Sequence, residues 1–163
     1  MKHFLHLIIV ISAFTLSCTD GKEHIRLYNR ACDYEDKGEY EKSIELLSKA
    51  IEIKPSDIYS YNNRAWDYLE IGRKDLAHID FKTILKYDPK NTAAIYGLGY
   101  ICYLDSNYKK AVALFDLIIE IKGGGPLFLE LTDNHFTGQE KPLEADIESV
   151  FKYKKLSQQK IKE

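Results

Sequence analysis

Few residues in this chain have the type and spacing that chemistry needs. Beyond the apolar amino-terminal stretch the histidines are His24, His78 and His135, far apart and without an HExxH or cysteine–histidine pair beside them. His78 is two residues from Asp80, but residues two apart on a helix point in different directions. Acidic pairs such as Asp33/Asp36 and Glu39/Glu41 read as solvated faces and turns. The run Gly123-Gly124-Gly125-Pro126 lacks the Gly-Lys-Ser/Thr sequence of a phosphate loop, and there is no G-x-S-x-G. The sequence therefore predicts no catalytic residues, no metal and no cofactor: a chain that is not an enzyme.

Composition supports a folded globular domain. The chain has 163 residues, of which 45% are hydrophobic and 29% charged, ordinary for a globular protein. A formal net charge of −2 gives no global attraction to nucleic acid or to an anionic membrane surface. Cys32 and Cys102 read as small packing residues rather than disulfide partners, because a repeat stands between them.

What positions the remaining candidates is a repeat. Residues 24–125 repeat with a 34-residue period, as 24–57, 58–91 and 92–125. Arg30-Ala31 aligns with Arg64-Ala65, Tyr34 with Tyr68, Gly38 with Gly72, Leu47 with Phe81 and Phe115, and Pro55 with Pro89. A fixed period of this length signals stacked supersecondary units. Each unit reads as two helices at 3.6-residue spacing: Ile25–Asp36 and Tyr40–Ile53, Tyr59–Glu70 and Lys74–Tyr87, Thr92–Leu104 and Tyr108–Ile121. Gly38 and Gly72 suit left-handed turn positions; in the third unit Asn107 is expected to take that conformation. Residues 126–163 read as a loop plus a carboxy-terminal helix, Leu143–Gln159, that caps the array or belongs to a degenerate fourth repeat.

The pattern resembles the tetratricopeptide repeat (TPR). That family's large–small–aromatic–small–large–proline places hold Leu27, Ala31, Tyr34, Ser43, Leu47 and Pro55, then Tyr61, Ala65, Tyr68, Ala77, Phe81 and Pro89. The third copy has Ile95, Gly99, Cys102, Ala111 and Phe115, with Gly123 where proline is expected. The resemblance implies an all-α, right-handed α-solenoid of three TPR hairpins with a carboxy-terminal capping segment. It also implies a concave groove lined by the first helices, facing a protein or peptide partner. The implied groove residues are Tyr28 and Asn29; Asn62, Asn63 and Trp66; and Tyr96, Tyr100 and Tyr103. Chaperone-binding members grip a carboxylate tail with Lys, Asn and Arg. The matching places here are Tyr28, Cys32, Asn63, Ala93 and Gly97, of which only Asn63 fits. Binding of acidic carboxy-terminal tails by that clamp is not expected.

The amino terminus adds a location. Lys2 precedes thirteen mostly apolar residues, Phe4 to Leu16, the length of a signal-peptide core and too short to span a bilayer. Thr15-Leu16-Ser17-Cys18 resembles a bacterial lipobox, although an aliphatic residue usually stands where Thr15 does. The resemblance implies a signal peptide at 1–17, lipidation of Cys18 and a short linker at 18–23. The expectation is a noncatalytic interaction scaffold of the bacterial cell envelope, a lipoprotein held to a membrane through Cys18, periplasmic or surface-facing. A carbohydrate- or small-ligand-binding accessory role for the same aromatic–asparagine face is the alternative. No nucleic-acid partner is expected.

Overall fold

The computed structural model describes residues 22–123 and 147–162, all helix and tight turn. Among the described residues seven helices run in order: α1 (22–35), α2 (Tyr40–Ile53), α3 (Ile58–Glu70), α4 (Lys74–Tyr87), α5 (Thr92–Leu104), α6 (Tyr108–Ile121) and α7 (Ile147–Lys162). They form an all-α solenoid in which α1/α2, α3/α4 and α5/α6 are successive hairpins and α7 packs on α6 and α5. The described helices α2, α4, α5 and α6 have the bounds that periodicity predicts. The last helix runs three residues beyond Gln159, to Lys162. The expected signal segment at 1–17, Cys18, most of the expected linker, the run 124–126, His135 and residues 127–146 lie outside the described residues. No helix among the described residues is long and apolar enough to cross a membrane.

Small residues let the helices approach and large ones fill the gaps. Leu27 and Ala31 of α1 pack on Leu46, Leu47 and Ala50 of α2. Around Phe81 gather Ala65, Ala77, Ile84, Ala94 and Ile101; around Phe115 gather Ile95, Ala111 and Ile118. Phe81 and Phe115 have no exposed surface. Burying an aromatic side chain of this size stabilises a fold by about 1.5–3 kcal/mol.

The turns inside the hairpins share one hydrogen-bond pattern. Glu39 N–H donates to the Tyr34 carbonyl at 2.9 Å, Arg73 N–H to Tyr68 at 2.7 Å, and Asn107 N–H to Cys102 at 2.8 Å. This closing bond requires a left-handed residue just before its donor. Gly38 and Gly72 supply it with φ 71° and 75°. In the third hairpin Ser106 takes that conformation, at φ 59°, and not Asn107, whose φ is −86°. The sequence expectation was displaced by one residue: Ser106 is the place 34 beyond Gly72. Between hairpins, Asp57 caps α3 through Ser60 N–H at 3.1 Å, and Asn91 caps α5 through Ala94 N–H at 3.0 Å.

Candidate functional groove

The first helices α1, α3 and α5 each carry a stripe of residues four apart, which share a helix face. These stripes are Tyr28–Cys32, continued by Asp36 in the turn just past α1, Asn62–Trp66–Glu70 and Tyr96–Tyr100–Leu104. Trp66 is the centre of an aromatic array. Its ring lies 6.0 Å from both Tyr96 and Tyr100, and 5.5 Å from Phe81 at an edge-on 75°. Tyr96 and Tyr100 stack nearly parallel, 14° apart. These four rings come from three helices, which small residues at Ala65 and Gly97 allow to approach, as Gly99 does for α5 against α6. A Cβ at Gly97 would stand 2.3 Å from the Phe81 ring, and one at Gly99 2.6 Å from Phe115.

The other sequence-predicted residues fall into two groups. Asn29 is exposed, and Tyr28, Trp66, Tyr96, Tyr100 and Tyr103 are half-buried. Asn62 and Asn63 are 1% and 2% exposed. Asn63 is engaged within the fold: its Nδ2 donates to Tyr28 Oη at 3.4 Å and to Cys32 Sγ at 3.7 Å. Asn62 is not. Among the described residues neither its Nδ2 nor its Oδ1 has a partner, and one turn on, the buried Trp66 Nε1–H has none either. Leaving such groups unsatisfied costs about 1–3 kcal/mol each. Two adjacent orphans on one stripe are unusual where buried polar groups are nearly always paired.

Tyr153 of α7 joins the array. Its ring meets Tyr100 at 5.1 Å, Tyr103 at 5.2 Å and Tyr96 at 6.3 Å, all edge-on. Lys154 fixes α7 beside it with a 2.5 Å ion pair to Asp116 of α6. Sequence reading did not single out Tyr153. The available signal was its place three residues past Val150, on the apolar face of the last predicted helix. Burial pushes the Tyr100 phenol above its ordinary range, with Tyr153 and the Glu70 carboxylate adding to the effect. Burial also raises the Cys102 thiol, which favours its protonated form. Both Cys32 and Cys102 are free thiols.

The places matching a carboxylate clamp are occupied differently. Tyr28 and Cys32 receive the Asn63 amide, Ala93 is buried, and Gly97 abuts the Phe81 ring, which leaves no room there for a side chain.

Comparison with known proteins agrees with this architecture. Residues 25–57 and 62–126 match tetratricopeptide-repeat family profiles. The chain is 33% identical over 93 residues to small glutamine-rich tetratricopeptide repeat-containing protein 2 of Mycosarcoma maydis, covering 57% of this chain and 26% of that one. It is 34% identical over 73 residues to the SGT1 homolog of Homo sapiens, covering 45% and 20%. It thus spans about a quarter or less of these relatives' length. Among solved structures, the Sgt2 TPR domain from Aspergillus fumigatus superposes with a TM-score of 0.66 at 24% identity, covering 86% of this chain and 80% of that one. The first TPR of Spaghetti (RPAP3) bound to HSP90 peptide SRMEEVD gives 0.66 at 15% identity, covering 87% and 95%. These two likenesses concern the fold.

Proposed function

The chain belongs to the tetratricopeptide-repeat family, and from that premise we propose that it is a noncatalytic scaffold holding an extended segment of a partner protein along α1, α3 and α5. The observation that carries this reading is the Asn62–Trp66 stripe: a buried amide and an indole N–H, both unpartnered, under a half-buried aromatic array. A side-chain amide donates to and accepts from a peptide group at once, and Trp and Tyr supply large contact area with few rotors. The filled clamp places argue against a terminal carboxylate as the anchor, so the partner segment is internal or end-independent.

The same reading makes the protein a lipoprotein of the bacterial envelope, held at the membrane through Cys18. The support is sequence: Lys2, the apolar run to Leu16, and Ser17-Cys18. Multiple acyl chains hold a protein stably, at about 0.8 kcal/mol per buried CH₂. Metabolic labelling with a fatty acid is expected to mark the wild type and not Cys18→Ala, which should leave the membrane fraction; equal labelling of both would refute the anchor.

The groove is tested with photo-crosslinkers placed at Asn29 and Tyr103, flanking the stripe, in intact cells. Mass spectrometry should identify one partner segment joined at both positions, and Trp66→Ala with Tyr100→Ala should abolish it. Persistence of the adduct in that double variant would move the interface off the groove.

A further inference from the structure

The groove has a sign. At the stripe positions of the three repeats the charged residues are Asp36 and Glu70, and none is lysine or arginine; from α7, Lys152 lies over the Tyr153 ring at 5.6 Å and Lys154 pairs with Asp116. Asp36 and Glu70 are exposed, one repeat apart, at the carboxyl ends of α1 and α3, where the helix dipoles add negative potential. Neither makes an ion pair among the described residues. The cations of the neighbouring turns are engaged elsewhere. Lys37 lies over the Tyr34 ring at 5.5 Å, Arg73 pairs with Asp75, and Lys74 pairs with Asp105. Glu70 stands one turn beyond Trp66 on the stripe that bears the unpartnered Asn62 amide. Its field reaches Tyr100. A carboxylate beside Trp and Tyr faces is the combination that attracts an ammonium or guanidinium group.

We propose that the groove selects a basic segment: an extended stretch of a partner protein that lays one lysine or arginine against Trp66, Tyr100 and Glu70 and a second toward Asp36, with its main chain at Asn62. This rests on the groove reading above and gives that partner its chemistry. It is the opposite charge preference to an acidic tail.

The test uses three pools of degenerate nine-residue peptides with both ends blocked. The pools are identical except that two fixed places hold Lys/Arg, Gln or Glu. Binding to the full chain is read from the fluorescence of Trp66, the single tryptophan. The basic pool should bind about three- to tenfold tighter than the Gln pool, as two partly exposed ion pairs allow, and the Glu pool weakest. Asp36→Asn with Glu70→Gln should bring the basic pool down to the Gln pool's level, and added salt should do the same. Unchanged thermal unfolding would show that these exposed substitutions left the fold intact. Equal binding of the basic and Gln pools would overturn the charge preference while leaving the groove standing; preference for the Glu pool would overturn it outright. Failure of all three pools would remove the groove reading and this inference together.

Discussion

The junction between the first and second repeats and the junction between the second and third are built on one 34-residue frame with opposite chemistry. In the first, buried Asp67 of α3 accepts from Ser43 Oγ of α2 at 2.6 Å. Buried His24 of α1 meets Asp57 at 2.8 Å, and Ser60 donates to the same Asp57 oxygen. Arg64 holds Asp80 through two bonds of 2.8 Å and reaches back to Ser48 of α2 at 2.9 Å. One repeat on, the places of Ser43 and Asp67 are Ala77 and Ile101, and those of Arg64 and Asp80 are Leu98 and Leu114. The second junction is sealed by Phe81, Trp66, Tyr96 and Tyr100. The difference teaches that the family frame fixes which places touch, while either polar pairing or apolar packing can satisfy them. Paired buried polar groups fix one register, and losing one partner costs more than the pair contributes.

The largest expected effect lies at the apolar junction. Phe81→Ala should destabilise the chain by about 3–5 kcal/mol in denaturant unfolding. Gly97→Ala alone should cost about 1–3 kcal/mol, because its methyl enters the Phe81 ring's space. In the Phe81→Ala background the same change should cost close to nothing, a strong non-additivity. Simple addition of the two effects would contradict the packing described.

At the polar junction, Ser43→Ala should cost about 1–3 kcal/mol by stripping buried Asp67 of a donor. Asp67→Ile combined with Ser43→Ala copies the second junction and should recover most of that loss. If the double variant is less stable than Ser43→Ala, the two junctions are not interchangeable solutions.

The hairpin turns give a smaller contrast. Ser106→Gly should stabilise the protein by about 0.5–1 kcal/mol, since a left-handed conformation is costly for a residue with a Cβ. No gain in thermal midpoint would show that the turn has relaxed.

The smallest effect is at alkaline pH. A phenol whose folded pKa is raised contributes stability that is present below the unfolded value, near 10, and is lost as pH rises through the folded value. Stability should therefore fall on raising the pH past about 10, and Tyr100→Phe should flatten part of that fall.

Much of the fold was legible because periodicity and the small-residue places encode it directly. Ala31, Ala65 and Gly99 recur at the same repeat position, and so do Leu47, Phe81 and Phe115. The groove was less legible. That Asn63 faces Tyr28 and Cys32 while Asn62, its neighbour, is left unpaired depends on how α1 sits against α3. Tyr153 entering the array depends on α7 docking on α5, which local sequence does not encode. The Ser106 turn was within reach of strict register, and was missed because asparagine is the commoner left-handed residue.

The central claim, that the aromatic and amide stripe on α3 receives a partner segment, is tested most directly at one atom. The single tryptophan gives one indole N–H resonance in a ¹⁵N-correlated NMR spectrum. On saturation with the tightest-binding peptide of the basic pool, that resonance should shift downfield and its exchange with solvent should slow, as Trp66 Nε1–H gains an acceptor. A resonance that stays in place while the peptide is bound would contradict the account.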